Sequence, residues 1–324
     1  MTFARIPAGL LAVATLSASA FSTSALACAG CGCTLSSDWD SQGFVSKPGI
    51  RVDLRYDFLD QKQLRSGGSK ITGNSLIDSG KEIEKVTTNH YVTAGIDYTP
   101  SQDWGVNVQI PYIDRYHETY GEVNSPDTLE TVTPGVSHTK SIGDIKVLGR
   151  YLGFSANKNL GLQFGLKLPT GDHTKTFKDG SPLDRGLQPG TGTTDLLVGV
   201  YHFDAINRDW DYFAQSQVQV ALNSRDDYRP GNALNLNIGV RYVANEFVTP
   251  QLQINAKTSQ HDSGANADRP NSGGTLAYLS PGLTVNVQEN LKVYGFLQVP
   301  IYQHVEGNQL TPRWTGTLGV RYTF

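Results

Sequence analysis

The last eleven residues of the chain, 314–324, alternate strictly between two faces. One face carries tryptophan, leucine, valine, tyrosine and phenylalanine, the other carries threonine and one arginine, and each face has a glycine. A repeat of two predicts a β-strand. Because aromatic residues bracket the apolar stripe, the pattern is typical of a strand that crosses a bilayer as part of a barrel. The chain ends on Phe324, which resembles the terminal signal by which bacterial outer-membrane barrels are recognised for insertion.

The same alternation recurs from Arg51 to the end of the chain. In the first segment the even positions 52–58 are apolar or aromatic, whereas Arg51, Asp53, Arg55 and Asp57 alternate in charge on the other face. Such charges are costly in the core of a soluble sandwich but suit a wet lumen. About 12 segments repeat the pattern, each near the roughly 9–11 residues that a tilted strand needs to cross a bilayer. We therefore predict an all-β, transmembrane up-and-down antiparallel β-barrel of about 12 strands over residues 49–324.

The connections between these segments alternate between short and long, which a soluble sandwich gives no reason to expect. Short connections are predicted at 100–103, 155–158, 205–209, 245–247 and 288–289, and long ones at 61–87, 115–141, 170–192, 223–231, 259–274 and 302–313. Single-chain outer-membrane barrels have short periplasmic turns and long outer loops. An even number of strands brings the N- and C-termini to the same end, and we expect both in the periplasm.

The N-terminus predicts the compartment. Arg5 precedes an apolar run and an A-x-A site that ends at Ala27, which is the layout of a secretory signal peptide over residues 1–27. No later run of 18 or more apolar residues follows, so a transmembrane helix is not expected. We predict a protein of the Gram-negative outer membrane whose partners are membrane lipid, the barrel assembly machinery and a small-molecule solute. A formal net charge of −3 gives no reason to expect a nucleic-acid partner.

Three cysteines stand together at the predicted mature start, and the chain has no others. Cys28, Cys31 and Cys33 form the sequence CAGCGC within a Cys-rich periplasmic segment over residues 28–48. Thiolates at this spacing could bind a soft metal ion such as Cu or Zn. In an oxidising compartment two of them could instead form a disulfide, and lipidation of Cys28 is a third alternative. No other cofactor is expected.

Polar and charged residues opposite the apolar stripes are the predicted pore lining. They are Arg51, Asp53, Arg55, Asp57, Asp144, Lys146, Arg150, Lys167, Gln215, Gln217, Gln219, Arg241, Lys257, Lys292 and Arg321. Rings of charged side chains can set ion selectivity in a pore, and the excess of basic residues favours anions. Alternatively, opposite charges pair across the lumen and only close the barrel. The charges of the first segment could pair with the neighbouring last strand, which carries Arg321.

Catalysis is not expected. Some barrels of similar strand number hydrolyse lipids with serine and histidine on the outer wall. No serine accompanies His90 or His202 in a recognisable pattern, and a histidine near the end of such a strand is more often one of the interfacial girdle residues. The sequence therefore predicts no enzyme and no catalytic residue.

Five phrases carry a family resemblance. They are IGDI at 142–145, GLKLPTGD at 165–172, LQPGTG at 187–192, YLSPGL at 278–283 and GFLQVPIY at 295–302. In order and spacing they resemble the outer-membrane barrel family named after the MetA pathway of phenol degradation, over roughly residues 90–324. The resemblance implies an outer-membrane channel or transporter. It implies no particular substrate and no catalytic residues, and the CAGCGC segment is not part of the family pattern.

Two functions fit these observations. The first is an outer-membrane channel or transporter that passes a small solute through a polar lumen. The second is a metal-binding or thiol-redox protein that acts through the CAGCGC segment, with the barrel as its anchor. Replacing Cys28, Cys31 and Cys33 with serine should leave solute flux intact under the first hypothesis and abolish function under the second.

Overall fold

The computed structural model describes residues 47–77, 82–122 and 127–324, so the predicted signal peptide and the three cysteines lie outside the described residues. The described strands are β1 (Gly49–Gly67), β2 (Ser69–Lys70), β3 (Glu82–Thr99), β4 (Trp104–Glu122), β5 (Val136–Ile142), β6 (Lys146–Tyr151), β7 (Leu160–Lys167), β8 (Asp195–Ala205), β9 (Trp210–Ala221), β10 (Ala233–Tyr242), β11 (Val248–Ser259), β12 (Gly274–Gln288) and β13 (Leu291–Thr323). Short 3-10 helices lie at Gly73–Leu76, Arg185–Leu187 and Arg269–Asn271. Within these ranges no helix is long and apolar enough to cross a membrane.

The 13 strands belong to one antiparallel sheet that closes on itself. Eleven of them follow one another round a circuit, from β1 through β3, β4 and β6 to β13. β13 then pairs with β1 and closes the barrel. β2 and β5 lie off this circuit. β2 pairs only with the end of β1, and β5 pairs with residues 112–118 of β4. Closure gives the strands of the circuit a partner on both sides, which removes the exposed edges of an open sheet. The predicted antiparallel barrel is confirmed.

The barrel wall makes twelve passes, because β13 turns back on itself and β5 continues into β6. Residues 291–305 of β13 pair with β12, and residues 305–323 pair with β1. The turn lies at Gly307, whose φ of 55° favours glycine. β5 and β6 pair with successive stretches of β4 and together make one pass. An even number of passes allows neighbours to be antiparallel all round the barrel, and the predicted number of about 12 is confirmed.

The outer wall is apolar and the interior is largely polar, the reverse of a soluble protein. Leu54 and Ile96 on the outer wall are 50% and 47% exposed, whereas the inward-facing Arg51 is 5% exposed. Aromatic pairs bracket the apolar wall, among them Phe58 and Trp314, whose ring centroids are 5.3 Å apart. Because lipid rather than water solvates such a wall, the fold is that of an outer-membrane β-barrel.

Several strands run further than the alternation predicts. β1 extends to Gly67, β4 extends to Glu122, and β13 continues on both sides of its turn at Gly307. The long connections predicted at 61–87, 115–141 and 302–313 are therefore partly wrong. Beyond the bilayer two paired strands can continue as a hairpin in water, where neither face has to meet lipid. The period-2 pattern weakens there, although the backbone pairing continues.

The two ends of the barrel differ. The short connections lie at one end, here called the turn end, together with Gly49 and Phe324. The backbone N–H of Phe324 donates to the Ile50 carbonyl at 2.9 Å. The long connections lie at the opposite end, here called the loop end. One of them joins β7 to β8 over residues 168–194, and we call it the mouth loop.

Replacing Phe324 with alanine is expected to reduce assembly in cells without preventing folding in vitro. The side chain is 75% exposed and meets Tyr322 edge to face, so it contributes little to the barrel itself. We expect less heat-modifiable barrel in outer-membrane fractions, whereas the purified F324A chain should refold in detergent with the wild-type yield. An equal loss in both measurements would contradict a role in recognition by the assembly machinery.

Candidate functional site

A buried ladder of charges lines the interior near the turn end. Asp97 of β3 accepts hydrogen bonds from Arg51 of β1 at 2.9 Å and from Arg150 of β6 at 3.0 Å. Asp53 of β1 accepts from Arg321 of β13 at 2.9 Å, and these two residues stand opposite each other in the register that closes the barrel. None of the five residues is more than 8% exposed. The expectation that Arg321 pairs with the first strand is confirmed.

The charge ladder continues along β1. Arg55 donates to Asp57 at 2.8 Å, and Thr317 of β13 donates to the same carboxylate at 2.7 Å. The Tyr294 hydroxyl donates to Asp53 at 2.9 Å. Buried charges are stable only when they are paired and hydrogen-bonded, and these partners meet that requirement. The four arginines of the ladder face three aspartates, which leaves a small excess of positive charge.

An amide belt begins beside the charge ladder, where Gln163 of β7 pairs in register with Arg150 of β6, and continues round the wall to β12. Gln215 of β9 donates to Gln163 of β7 at 2.8 Å, across β8, which carries a glycine at this level. Asn237 of β10 donates to Gln215 at 2.7 Å, and Asn255 of β11 donates to Asn237 at 2.8 Å. Ser280 of β12 donates to Asn255 at 2.5 Å. Every link joins neutral groups, so the amide belt itself is polar without being charged.

Apolar side chains also face the interior, so the lumen is mixed rather than uniformly polar. Two buried clusters are present: Leu152, Tyr201 and Phe213 near the turn end, and Leu59, Tyr91 and Ile113 further toward the loop end. The prediction of a polar lumen is therefore not confirmed as it was made, because polar and apolar side chains both face the interior. Side chains have to fill much of the interior of a small barrel. A large ring fits where the facing residue of the neighbouring strand is glycine. At Gly161, for example, a Cβ would overlap the ring of Tyr201.

The mouth loop folds into the loop end of the barrel, where Phe177 lies against the inward-facing His117 of β4, with ring centroids 6.1 Å apart. On one side the backbone N–H of Lys178 donates to the Val136 carbonyl of β5 at 3.0 Å. On the other side His173 lies 3.2 Å from Asp226, which belongs to the connection between β9 and β10. The loop has a small apolar core of its own, formed by Phe177, Leu183 and Leu187. It is therefore a folded element that narrows the loop end of the lumen.

A buried ion group, which we call the latch, fastens both ends of the mouth loop to the wall. Asp144, between β5 and β6, accepts from the Gly171 N–H at 3.0 Å. It also accepts from the N–H and the hydroxyl of Thr191 at 3.0 and 2.9 Å. Lys167 at the end of β7 donates to Asp144 at 2.8 Å and lies 3.3 Å from Asp195. The three charged residues of the latch are no more than 8% exposed.

Comparison with known proteins identifies the family. A family profile described as "Putative MetA-pathway of phenol degradation" matches residues 66–311, well over half of the chain. The chain belongs to this family. The resemblance drawn from the sequence is thus confirmed, although no curated protein matches the chain.

Two solved structures illustrate what this family member is similar to. The COG4313 outer membrane channel from Pseudomonas putida F1 superposes with a TM-score of 0.61 at 11% identity, over 86% of this chain and 96% of that one. The CymD monoaromatic hydrocarbon channel superposes with a TM-score of 0.47 at 8% identity, over 94% and 99% of the two chains. At such low identities the first comparison shows the barrel fold alone, and the second adds no further argument.

Three of the phrases that carry the family resemblance meet at the latch. The phrases are distant in sequence. Residues 142–145 supply the carboxylate of Asp144, residues 165–172 supply the ammonium group of Lys167 and the N–H of Gly171, and residues 187–192 supply the N–H of Thr191. A Cβ at Gly171 would lie 2.6 Å from the Cα of Gly190, closer than real contacts allow. The family phrases therefore encode the attachment of the mouth loop, a role that their sequence alone did not reveal.

The remaining predicted pore-lining residues also face the interior. They are Lys146 on β6, Gln217 and Gln219 on β9, Arg241 on β10, Lys257 on β11 and Lys292 on β13. Gln219 donates to Asp195 at 2.5 Å, and Arg241 makes two hydrogen bonds to Asp211 at 2.9 and 2.6 Å. Among the residues that the structure describes, no group of three or more His, Cys, Asp or Glu side chains is arranged to hold a metal ion. The tentative metal ligands Cys28, Cys31 and Cys33 lie outside the described residues.

Sequence reasoning missed several partners of the pore-lining residues. Asp97 bridges two arginines of the charge ladder, a role that alternation does not indicate. Asp195 and Asp211 were overlooked because they stand at strand ends, where alternation gives little signal. Arg115 was assigned to a long connection, yet it lies on the inner face of β4 and is 3% exposed. Arg115 is an even number of residues from Asn107, which also faces inward, so alternation predicts an inward side chain once β4 is known to reach Glu122.

A pH-dependent contact within the mouth loop provides a separate test of that loop. The hydrogen bond from Lys175, supported by the Thr174 N–H, lowers the pKa of Asp172 to about 2. Because this pKa is lower in the folded loop than in an unfolded chain, the contact stabilises the loop above the ordinary pKa of aspartate and is lost as the pH falls toward the lowered value. We expect hydrogen exchange of the loop amides, corrected for intrinsic rates, to stay unchanged down to about pH 4. The K175M variant should lose protection at higher pH than the control K178M, and equal profiles would contradict the assignment.

Proposed function

We propose that this chain is a channel of the Gram-negative outer membrane that passes a small amphipathic solute, with phenol as the first candidate. The mixed interior carries the proposal, since neutral amides, paired charges and aromatic rings face one narrow lumen. The family description, which names phenol degradation, supports the choice of phenol. In this proposal the loop end faces the outside and the turn end faces the periplasm, following the usual arrangement of such barrels.

The amide belt suits a neutral hydroxyl group. A solute that leaves water has to recover its lost hydrogen bonds, and an amide such as Asn237 or Asn255 can both donate and accept. A ring also gains from contact with aromatic faces such as those of Tyr201 and Phe213. The dense packing of these inward side chains argues against large cargo, since Asn255 is 0% exposed and Phe213 is 2% exposed. A small molecule with one ring and one hydroxyl group meets all three conditions.

Phenol is expected to block the ion current of the reconstituted mature chain. Brief closures should become more frequent with phenol concentration, and cyclohexanol, which has the hydroxyl but no aromatic ring, should be weaker. In N237L the belt loses two links, the hydrogen bond to Gln215 and the one from Asn255. Phenol loses one polar partner at this position, so its block should weaken about three- to tenfold, as expected for one neutral hydrogen bond. N107L, which alters a buried inward amide outside the belt, is the matched control. Equal block of all three proteins would contradict a role of the belt in solute passage.

The proposed orientation has its own test. Gly180 lies in an exposed part of the mouth loop with a φ of 91°, in a turn that should accept an insertion. An epitope placed after Gly180 should be labelled by antibody on intact cells. Labelling only after the outer membrane has been permeabilised would reverse the orientation without affecting the conductance result.

A metal-binding or thiol-redox role is the second candidate, and it depends on the CAGCGC sequence alone. In it Cys28, Cys31 and Cys33 bind Cu or Zn or exchange thiols, and the barrel is the anchor. Under the channel proposal the triple cysteine-to-serine variant should keep its conductance and its block by phenol. Loss of both properties in a correctly folded triple variant would favour the second candidate.

A further inference from the structure

A basic pocket lies on the barrel near the loop end, away from the amide belt and the latch. Its volume is about 520 Å³, and β1, β2 and β13 form its wall. Arg65, Lys70 and Arg313 line it, and none of the described residues that line it is acidic. Hydrogen bonds from Arg65 to Gln303 at 3.1 Å and to the Gly68 carbonyl at 2.6 Å hold its guanidinium at the pocket. The described lining of the pocket thus presents three cations and no carboxylate.

The basic pocket lies at the level where the apolar wall ends. Arg313 directly precedes Trp314, whose ring packs against Phe58 on the outer wall. Ile301 and Tyr302 also line the pocket, and they are 56% and 53% exposed. Aromatic girdles mark the interface between hydrocarbon and headgroups in membrane barrels. The three cations are therefore at the height of lipid headgroups, on a surface that membrane lipid can reach.

An apolar groove lies next to this pocket on the outer wall. Its volume is about 660 Å³, and Trp314, Phe58 and Leu297 line it. Gly295 and Gly316 also line it, and the absence of side chains at these two positions gives the groove depth. Trp314 in the groove follows Arg313 in the pocket, so the basic and apolar sites are neighbours on the same strand. If the three cations bound the headgroup of a lipid, an acyl chain of the same lipid would lie over the groove.

We propose that the basic pocket and the apolar groove together bind one phosphorylated glycolipid of the outer leaflet. Its phosphate pairs with Arg65, Lys70 and Arg313, and an acyl chain lies in the groove. Arginine and lysine form strong, charge-assisted hydrogen bonds with phosphate, and clustered basic residues next to a bilayer attract anionic headgroups. The inference rests on the proposed orientation, which places the loop end at the outer leaflet. It does not depend on what passes through the lumen.

The test compares lipid binding by the full mature chain and two variants in detergent, measured by native mass spectrometry. The probe is bisphosphorylated lipid A, with chemically dephosphorylated lipid A and inorganic phosphate as further arms. R65Q/K70Q/R313Q removes the cations of the pocket. K178Q/R208Q/R269Q is the matched control, because it removes the same formal charge at exposed positions outside the pocket. Heat-modifiability and conductance confirm that each variant folds and inserts.

We expect the pocket variant to bind bisphosphorylated lipid A at least about tenfold more weakly than wild type, since three charge-assisted contacts are lost. The control variant should bind as wild type does. Equal binding by both variants would overturn the inference, and so would equal binding of dephosphorylated lipid A by the wild type. Displacement of the lipid by inorganic phosphate at similar concentration would instead indicate a site for soluble anions. Loss of lipid binding with unchanged conductance would separate this inference from the channel proposal.

Discussion

Replacing Asp144 with asparagine is expected to release the mouth loop and raise single-channel conductance. The Asp144 carboxylate accepts hydrogen bonds from Gly171, Thr191 and Lys167, which come from both ends of the loop. An asparagine at this position would turn an NH₂ group toward N–H or ammonium donors. Lys167 would keep the carboxylate of Asp195 at 3.3 Å and the Thr193 carbonyl at 3.1 Å, but it would lose the nearer of its two carboxylate partners. The loop would lose its charged attachment, although the barrel strands would keep all their pairs.

The expected effect of D144N is large, because breaking a buried ion pair costs about 3–5 kcal/mol. A loss of about 3 kcal/mol shifts a local opening equilibrium roughly a hundredfold. The open loop should then appear as a higher conductance level in planar bilayers and as faster proteolysis within residues 168–194. Asp172 belongs to the same loop but lies outside the latch, so D172N is the matched control. A folded D144N barrel with the conductance of wild type would show that the mouth loop does not limit the pore.

Replacing Asp97 with asparagine is expected to destabilise the barrel and make it more selective for anions. Asp97 is 5% exposed and bridges Arg51 and Arg150, whose guanidinium groups would be left close together without a counter-charge. The cost should be about 3–5 kcal/mol, as for other buried pairs that lose one partner. Removing one aspartate from a ladder of four arginines and three aspartates also increases its positive excess.

Two measurements check the D97N prediction. Urea-dependent loss of heat-modifiability should occur at a lower midpoint, and the reversal potential in a KCl gradient should move toward chloride. D211N is the matched control, because Asp211 also pairs with an inward arginine but is partly exposed, with side-chain accessibility of 18%. Solvent reduces the cost of the lone Arg241 charge, so both shifts should be smaller. Equal shifts in the two variants would mean that burial of the ladder is not what makes Asp97 important.

The family resemblance and the alternation predicted different parts of this protein. Alternation identified the barrel because every second residue of each pass faces lipid and has to be apolar. The family phrases gave no physical role until the structure brought residues 142–145, 165–172 and 187–192 together at the latch. No local pattern shows that Asp144 and Thr191 touch, since their contact depends on the path of a loop through the barrel mouth.

Alternation alone established the wall across the bilayer: which face of each strand meets lipid, the twelve passes and most of the inward charges. Each of these follows from the period of a strand and from the exclusion of charge from hydrocarbon. Only the tertiary structure decided which charges pair, as Asp53 does with Arg321 and Asp97 with Arg150. It also brought amide side chains of β7, β9, β10 and β11 and the hydroxyl of Ser280 on β12 into one hydrogen-bonded belt. These contacts depend on the stagger between neighbouring strands and on barrel closure, and both arise from long-range packing that a single strand does not encode.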